Sequence, residues 1–76
     1  MNEEKIANDL IQMNEKQLNT FSNHFSYGLN AKDYNEINEC DFELLTKIMN
    51  SKNYEIKIEF SNSNKFYVFN RKDRQV

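Results

Sequence analysis

Residues 54–60 have a strict two-residue hydrophobic period, which only a β-strand accommodates. Apolar and charged side chains alternate in the order Tyr54, Glu55, Ile56, Lys57, Ile58, Glu59 and Phe60. This alternation predicts a strand with one buried face and one exposed face. The next four residues, Ser61-Asn62-Ser63-Asn64, favour a turn, because such side chains hydrogen-bond their own backbone and tolerate positive φ. Residues 65–71 are rich in aromatic and branched side chains, so we expect a β-hairpin over residues 54–71.

A lone hairpin is marginally stable in water, so an apolar layer must pack against it. Residues 3–26 carry apolar side chains near helical spacing and predict that layer. They form either one kinked helix or two helices meeting near Asn14, where Asn14 and Gln17 have the pattern of a capping box. Gly28 is the expected left-handed residue that ends this helical region. Residues 27–37 are expected to form a loop with room for one helical turn.

A second helix is predicted over residues 39–50, and a frayed tail over residues 72–76. Asn38 is the expected N-cap of this second helix, with Asp41 three residues later and with Ile37 and Phe42 at the staple positions. The fold class is therefore α+β. Two or three N-terminal helices pack on a C-terminal antiparallel hairpin in one two-layer domain.

The composition argues against an enzyme. Among 76 residues there is one Cys, one His and one Gly, with a formal net charge of −2. One cysteine cannot form a disulfide within the chain, one His and one Cys make a poor metal site, and one glycine cannot build a phosphate-binding loop. His24 and Cys40 have no catalytic partner nearby in sequence. We therefore expect no cofactor, no metal and no catalytic activity.

The second strand has apolar side chains on both faces. With a turn at residues 61–64, Phe60 pairs with Lys65, Ile58 with Tyr67, and Ile56 with Phe69. This register places Tyr67 and Phe69 in the core and points Phe66 and Val68 outward; a shift of one residue would exchange the two pairs. Phe66 and Val68 are then covered by a helix or loop of the same chain, or they contact a partner or a second copy. The free strand edges also permit a homodimer through the hairpin.

An acidic strip is the second candidate contact surface; the alternative is a solvated loop and helix start, which is the usual outcome for a run of charges. Its members are Asp33, Glu36, Glu39, Asp41 and Glu43. Residues 1–52 carry five bases and nine acids, whereas residues 53–76 carry five bases and three acids. Such a strip could dock on a basic groove, including one that normally holds nucleic acid.

These features favour a non-enzymatic protein-interaction module over a nucleic-acid binder. Helices followed by a hairpin resemble the winged helix-turn-helix, which is the alternative reading, but the helix at 39–50 has one base, Lys47, against three acids. A structural homodimer is the other alternative. The lack of a signal peptide or an apolar span predicts a cytoplasmic protein without a membrane partner. Small size and 13 Asn residues suggest a phage or mobile-element inhibitor or accessory that occupies a surface of a host protein.

Overall fold

The computed structural model describes residues 2–20 and 27–74, which form an α+β fold as expected. Two α-helices, α1 (Glu3–Thr20) and α2 (Phe42–Ser51), pack on a three-stranded antiparallel sheet. Its strands are β1 (Tyr27–Asn30), β2 (Tyr54–Ser61) and β3 (Asn64–Arg71), in the spatial order β1-β3-β2. Short 3₁₀ segments lie at Ala31–Asp33, Asn35–Glu39 and Lys72–Arg74.

The hairpin has the predicted register. Ile58 lies opposite Tyr67, Ile56 opposite Phe69, and Ser61 opposite Asn64. The two residues of the turn, Asn62 and Ser63, have φ of 51° and 67°. Positive φ at both central residues is the geometry of a type I′ turn, whose twist matches that of the flanking strands.

The loop expected over residues 27–37 is wrong at its start, where Tyr27–Asn30 form an edge strand, whereas the short 3₁₀ segment at Ala31–Asp33 fits the helical turn expected within it. Tyr27 pairs with Phe69, and Leu29 pairs with Tyr67, on the side of β3 away from β2. Gly28 lies inside this strand opposite Val68 and does not have positive φ, so it is not a helix cap. Only four residues form β1, and so short a strand has too few positions to show a two-residue period.

The helix boundaries also differ from those expected. Helix α1 runs through Asn14 without a break, so two helices meeting there are ruled out; residues 21–26 lie outside the described residues. Helix α2 begins at Phe42 and not at residue 39, since the Asp41 carboxylate accepts a hydrogen bond from the Leu44 amide at 3.2 Å. Asn38 instead donates to the Ala31 carbonyl and accepts from the Tyr67 hydroxyl.

The core lies between the helices and one face of the sheet. Helix α1 contributes Ile6, Ala7 and Leu10, and α2 contributes Leu45 and Met49, all almost fully buried. The sheet contributes Leu29, Tyr54, Tyr67 and Phe69. The expected frayed tail is ordered through residue 74, because the Lys72 amide donates to the Asn53 carbonyl at 2.9 Å and extends the hairpin ladder.

A candidate protein interface on the open face of the sheet

The helices cover one face of the sheet, and Phe66 and Val68 lie on the other. Side chains alternate along β3, so the burial of Tyr67 and Phe69 against the helices directs Phe66 and Val68 to the opposite side. We call this side the open face. Its other members, from the strand pairing, are Gly28 and Asn30 on β1, Glu55, Lys57 and Glu59 on β2, and Asn70 on β3.

The neighbours of Phe66 and Val68 shield them only partly. Phe66 lies between Asn30 and Glu59, and Val68 lies between Gly28 and Lys57. Both apolar side chains are half-buried. Gly28 has no side chain that could cover Val68, and a Cβ added at Gly28 would contact nothing within 4 Å. The apolar centre is therefore open on the β1 side.

A charged rim borders this centre along β2. Lys57 Nζ and Glu59 Oε2 are 2.9 Å apart, and their side chains are 67% and 51% exposed. Glu55, Lys57, Val68 and Asn70 line a depression that runs from the apolar centre toward the Glu55–Asn70 pair. An apolar centre with a polar rim is the usual composition of a protein contact surface.

Phe60 is an exposed aromatic residue that the hydrophobic period did not reveal. The alternation places it on the helix-covered face, yet it is 75% exposed. It lies in the last pair but one before the turn, opposite Lys65, where the helices no longer cover the sheet. The two-residue period assigns a residue to a face, but it does not show how far the opposing layer extends.

The acidic strip separates into members with structural contacts and members without them. Asp41 caps α2, and Glu36 pairs with Lys5 at 3.3 Å. Asp33, Glu39 and Glu43 are exposed and form no ion pair within residues 2–20 and 27–74. Glu36 and Glu39 line one depression together with Glu3 and Cys40, so these two members of the strip lie close together.

Cys40 has an environment that suppresses thiolate formation. Burial raises the pKa of its thiol, and the negative charge of Glu3 raises it further. A thiol with a raised pKa is a weak nucleophile at neutral pH. His24 lies outside the described residues. Within the part of the chain that the structure describes, no group of three His, Cys, Asp or Glu side chains could hold a metal ion.

Comparisons identify no relative. No protein family, no curated protein and no solved structure matches this chain. None of the helices in the described ranges has the length and apolar character needed to cross a membrane.

Proposed function

We propose that this protein is a non-enzymatic interaction module that binds another protein through the open face of its sheet. The observation that carries the proposal is the position of Phe66 and Val68, two apolar side chains on the face opposite the helices. Leaving such side chains partly in water forgoes stabilisation of up to about 1.5–3 kcal/mol each relative to full burial. A partner that covers them recovers part of that free energy.

The charge distribution supports a proposal about the chemistry of the partner. Asp33, Glu39 and Glu43 offer carboxylates that form no ion pair with a base in residues 2–20 and 27–74, and the formal net charge is −2. The complementary partner presents an apolar patch to the open face and a basic surface to those carboxylates that it reaches, because opposite potentials steer association and fix orientation. A host protein with a basic groove is such a partner, and an inhibitor or accessory encoded by a phage or mobile element would act by occupying that groove.

The test compares the wild type with a Phe66→Thr/Val68→Thr variant. Threonine keeps strand propensity while removing the apolar surface. We expect the variant to stay folded by circular dichroism and to bind the purified partner at least about tenfold more weakly, a loss of about 1.4 kcal/mol. Lys57→Thr on the same face is the matched control and should bind within about threefold of wild type, as rim contacts contribute little. Equal affinity of the folded double variant and the wild type would refute the proposal.

A second candidate function is nucleic-acid binding of the winged-helix type. A helix, a strand, two short 3₁₀ segments and a second helix are followed by a hairpin whose last strand pairs with the first strand. This order resembles that of winged-helix domains. The helix that would enter the groove is α2. It begins after the carboxylate of Asp41 and carries Glu43 in its first turn, and phosphate would repel both of these carboxylates, with Lys47 as the one base of the helix.

Two of the three bases in the hairpin strands are paired with carboxylates, which reduces the support that they give to this alternative. Lys57 pairs with Glu59, and Arg71 pairs with Asp73 at 2.7 Å. Fluorescence anisotropy with labelled single- and double-stranded oligonucleotides at physiological salt decides between the two functions. The protein-binding proposal predicts a Kd above about 10 μM for every oligonucleotide. Sub-micromolar affinity for an oligonucleotide would favour the winged-helix function.

A further inference from the structure

The free edge of β2 has a sequence that complements itself. β2 is an edge strand, since β3 lies on one side of it and no strand of the described residues pairs with its other side. It contains eight residues without a proline. An edge of this length offers a row of unpaired backbone groups that can pair with another strand.

The hairpin geometry shows which residues present those groups. Ser61 and Asn64 flank a two-residue turn, so they exchange backbone hydrogen bonds, and hydrogen-bonded pairs then recur at every second residue. The Lys72 amide donates to the Asn53 carbonyl at 2.9 Å, which continues the same phase at the other end. Odd-numbered residues of β2 therefore direct their backbone groups toward β3. Even-numbered residues, Ile56, Ile58 and Phe60 among them, direct theirs to the free edge.

We propose that two copies of this chain pair antiparallel through β2 about a two-fold axis at Ile58. Ile58 then lies opposite Ile58 of the second copy, and Phe60 lies opposite Ile56. The even residues form the hydrogen-bonded pairs, as their backbone groups require. The two sheets join into one six-stranded sheet, with both helix layers on one side and both open faces on the other.

The charges of β2 select this register. When the two-fold axis passes through Ile58, Lys57 of each copy faces Glu59 of the other copy. Oppositely charged residues in directly facing cross-strand pairs are stabilising. Centring the pairing on Lys57 instead would set Lys57 against Lys57 and Glu55 against Glu59, which is destabilising. Centring it on Ile56 would set Lys57 against Glu55 but would pair only residues 54–58 within the strand. The register at Ile58 pairs residues 55–61.

The same register covers Phe60, the most exposed large apolar side chain of the described residues. Facing residues of an antiparallel pair have Cβ atoms about 4.5–5.5 Å apart, so Phe60 contacts Ile56 of the second copy. Ile56 is half-buried in one chain and has surface left to cover. A hydrogen-bonded edge, two charge pairs and two apolar pairs thus converge on a single arrangement.

This inference does not depend on the proposed function, because it concerns the edge of β2 and not the centre of the open face. The Phe66→Thr/Val68→Thr variant should self-associate like the wild type. Loss of self-association in that folded variant would move the interface to the open face and overturn the inference.

Charge exchange gives the decisive test. Lys57→Glu and Glu59→Lys each place like charges opposite one another in a homodimer. By sedimentation equilibrium, we expect each to weaken self-association about tenfold or more relative to wild type. A mixture of the two variants restores opposite charges at both facing positions, so the mixture should associate about as strongly as the wild type. Rescue in the mixture cannot come from the Lys57–Glu59 pair within each chain, which stays broken.

Glu55→Lys is the control for register, because residue 55 faces Ser61 of the second copy and should tolerate the change. Phe60→Thr should weaken association, and it tests the apolar contact separately. A wild-type chain that stays monomeric up to about 1 mM, a limit of about 4 kcal/mol of association free energy, would overturn the inference. So would a mixture of Lys57→Glu and Glu59→Lys that fails to associate, or a Glu55→Lys variant as impaired as Lys57→Glu.

Discussion

The Tyr34 hydroxyl donates a 2.6 Å hydrogen bond to the Asp9 carboxylate, which joins the 3₁₀ region to the middle of α1. Lys5 lies 2.9 Å from the same carboxylate. Both contacts favour the ionised form, and the Tyr34 hydrogen bond is the larger cause of the lowered pKa of Asp9. Together with burial, this contact raises the pKa of Tyr34 to about 12. The segment after β1 is therefore held against α1 by a charge-assisted hydrogen bond.

This contact predicts a pH-dependent contribution to stability. The folded pKa of Asp9 is below its unfolded value, so the contribution is present above the unfolded pKa of about 3.9 and is lost as pH falls through the folded pKa. Asp9→Asn should lower the free energy of unfolding by about 1 kcal/mol at pH 6, allowing for partial exposure. Its difference from wild type should shrink as pH falls through the lowered pKa of Asp9 in the folded protein.

Urea titrations across this pH range measure the difference. Asp33→Asn is the control, as Asp33 is exposed and has no ion pair among the described residues. In carboxyl NMR titrations, Tyr34→Phe should move the pKa of Asp9 upward toward its ordinary value. A constant difference between Asp9→Asn and wild type at every pH would contradict this account.

Glu3 supports the start of α2 from the first turn of α1. Glu3 is 2% exposed, and its carboxylate accepts a hydrogen bond from the Asp41 amide at 2.8 Å. Glu3→Ala leaves that partly buried amide without an acceptor, so we expect a loss of about 1–3 kcal/mol in the free energy of unfolding. The neighbouring Glu4, 63% exposed and paired with Lys52, provides the control. Glu4→Ala should cost at most about 0.5 kcal/mol, and equal losses from both variants in urea denaturation would count against the role of Glu3.

Asn14 is buried at 1% exposure, and neither polar atom of its side chain has a hydrogen-bond partner among the described residues. Buried polar atoms without partners destabilise a fold, so Asn14→Leu should raise the free energy of unfolding by about 1–3 kcal/mol. Asn8→Leu, at an exposed position of α1, controls for helix propensity and should gain only about 0.5 kcal/mol. Thermal denaturation of both variants makes the comparison. A lower melting temperature for Asn14→Leu would show that this amide is needed where it is.

The sequence predicts the elements that local patterns define and misses those that depend on distant contacts. The hairpin was predictable to the residue, because the period of β2 and the turn at Asn62 and Ser63 lie within one continuous segment. β1 was not, since its four residues acquire strand structure by pairing with the far side of β3. Asn38 and Asp41 are both good N-caps, and only the packed structure engages Asn38 elsewhere, with Tyr67 and Ala31. Phe66 and Val68 were placed on the open face by register alone.

Mutation should separate the acidic strip into members that stabilise the fold and members that are only exposed. Asp41→Ala removes the N-cap of α2 and should cost about 0.5–2 kcal/mol. The triple variant Glu36→Gln/Glu39→Gln/Glu43→Gln removes exposed charges, including a Glu36–Lys5 pair whose side chains are about half exposed, and should change the melting temperature by only a few degrees.

If the strip contacts a basic partner, the triple variant should have a larger effect on binding than it has on stability. The triple variant should bind the purified partner more weakly, and its affinity should depend less on salt than that of the wild type, because fewer charges interact across the interface. Isothermal titration at two ionic strengths, with thermal denaturation of the same samples, separates the two effects. Unchanged affinity together with a collapse in melting temperature would mean that these carboxylates serve the fold. The partner would then be held by the open face alone.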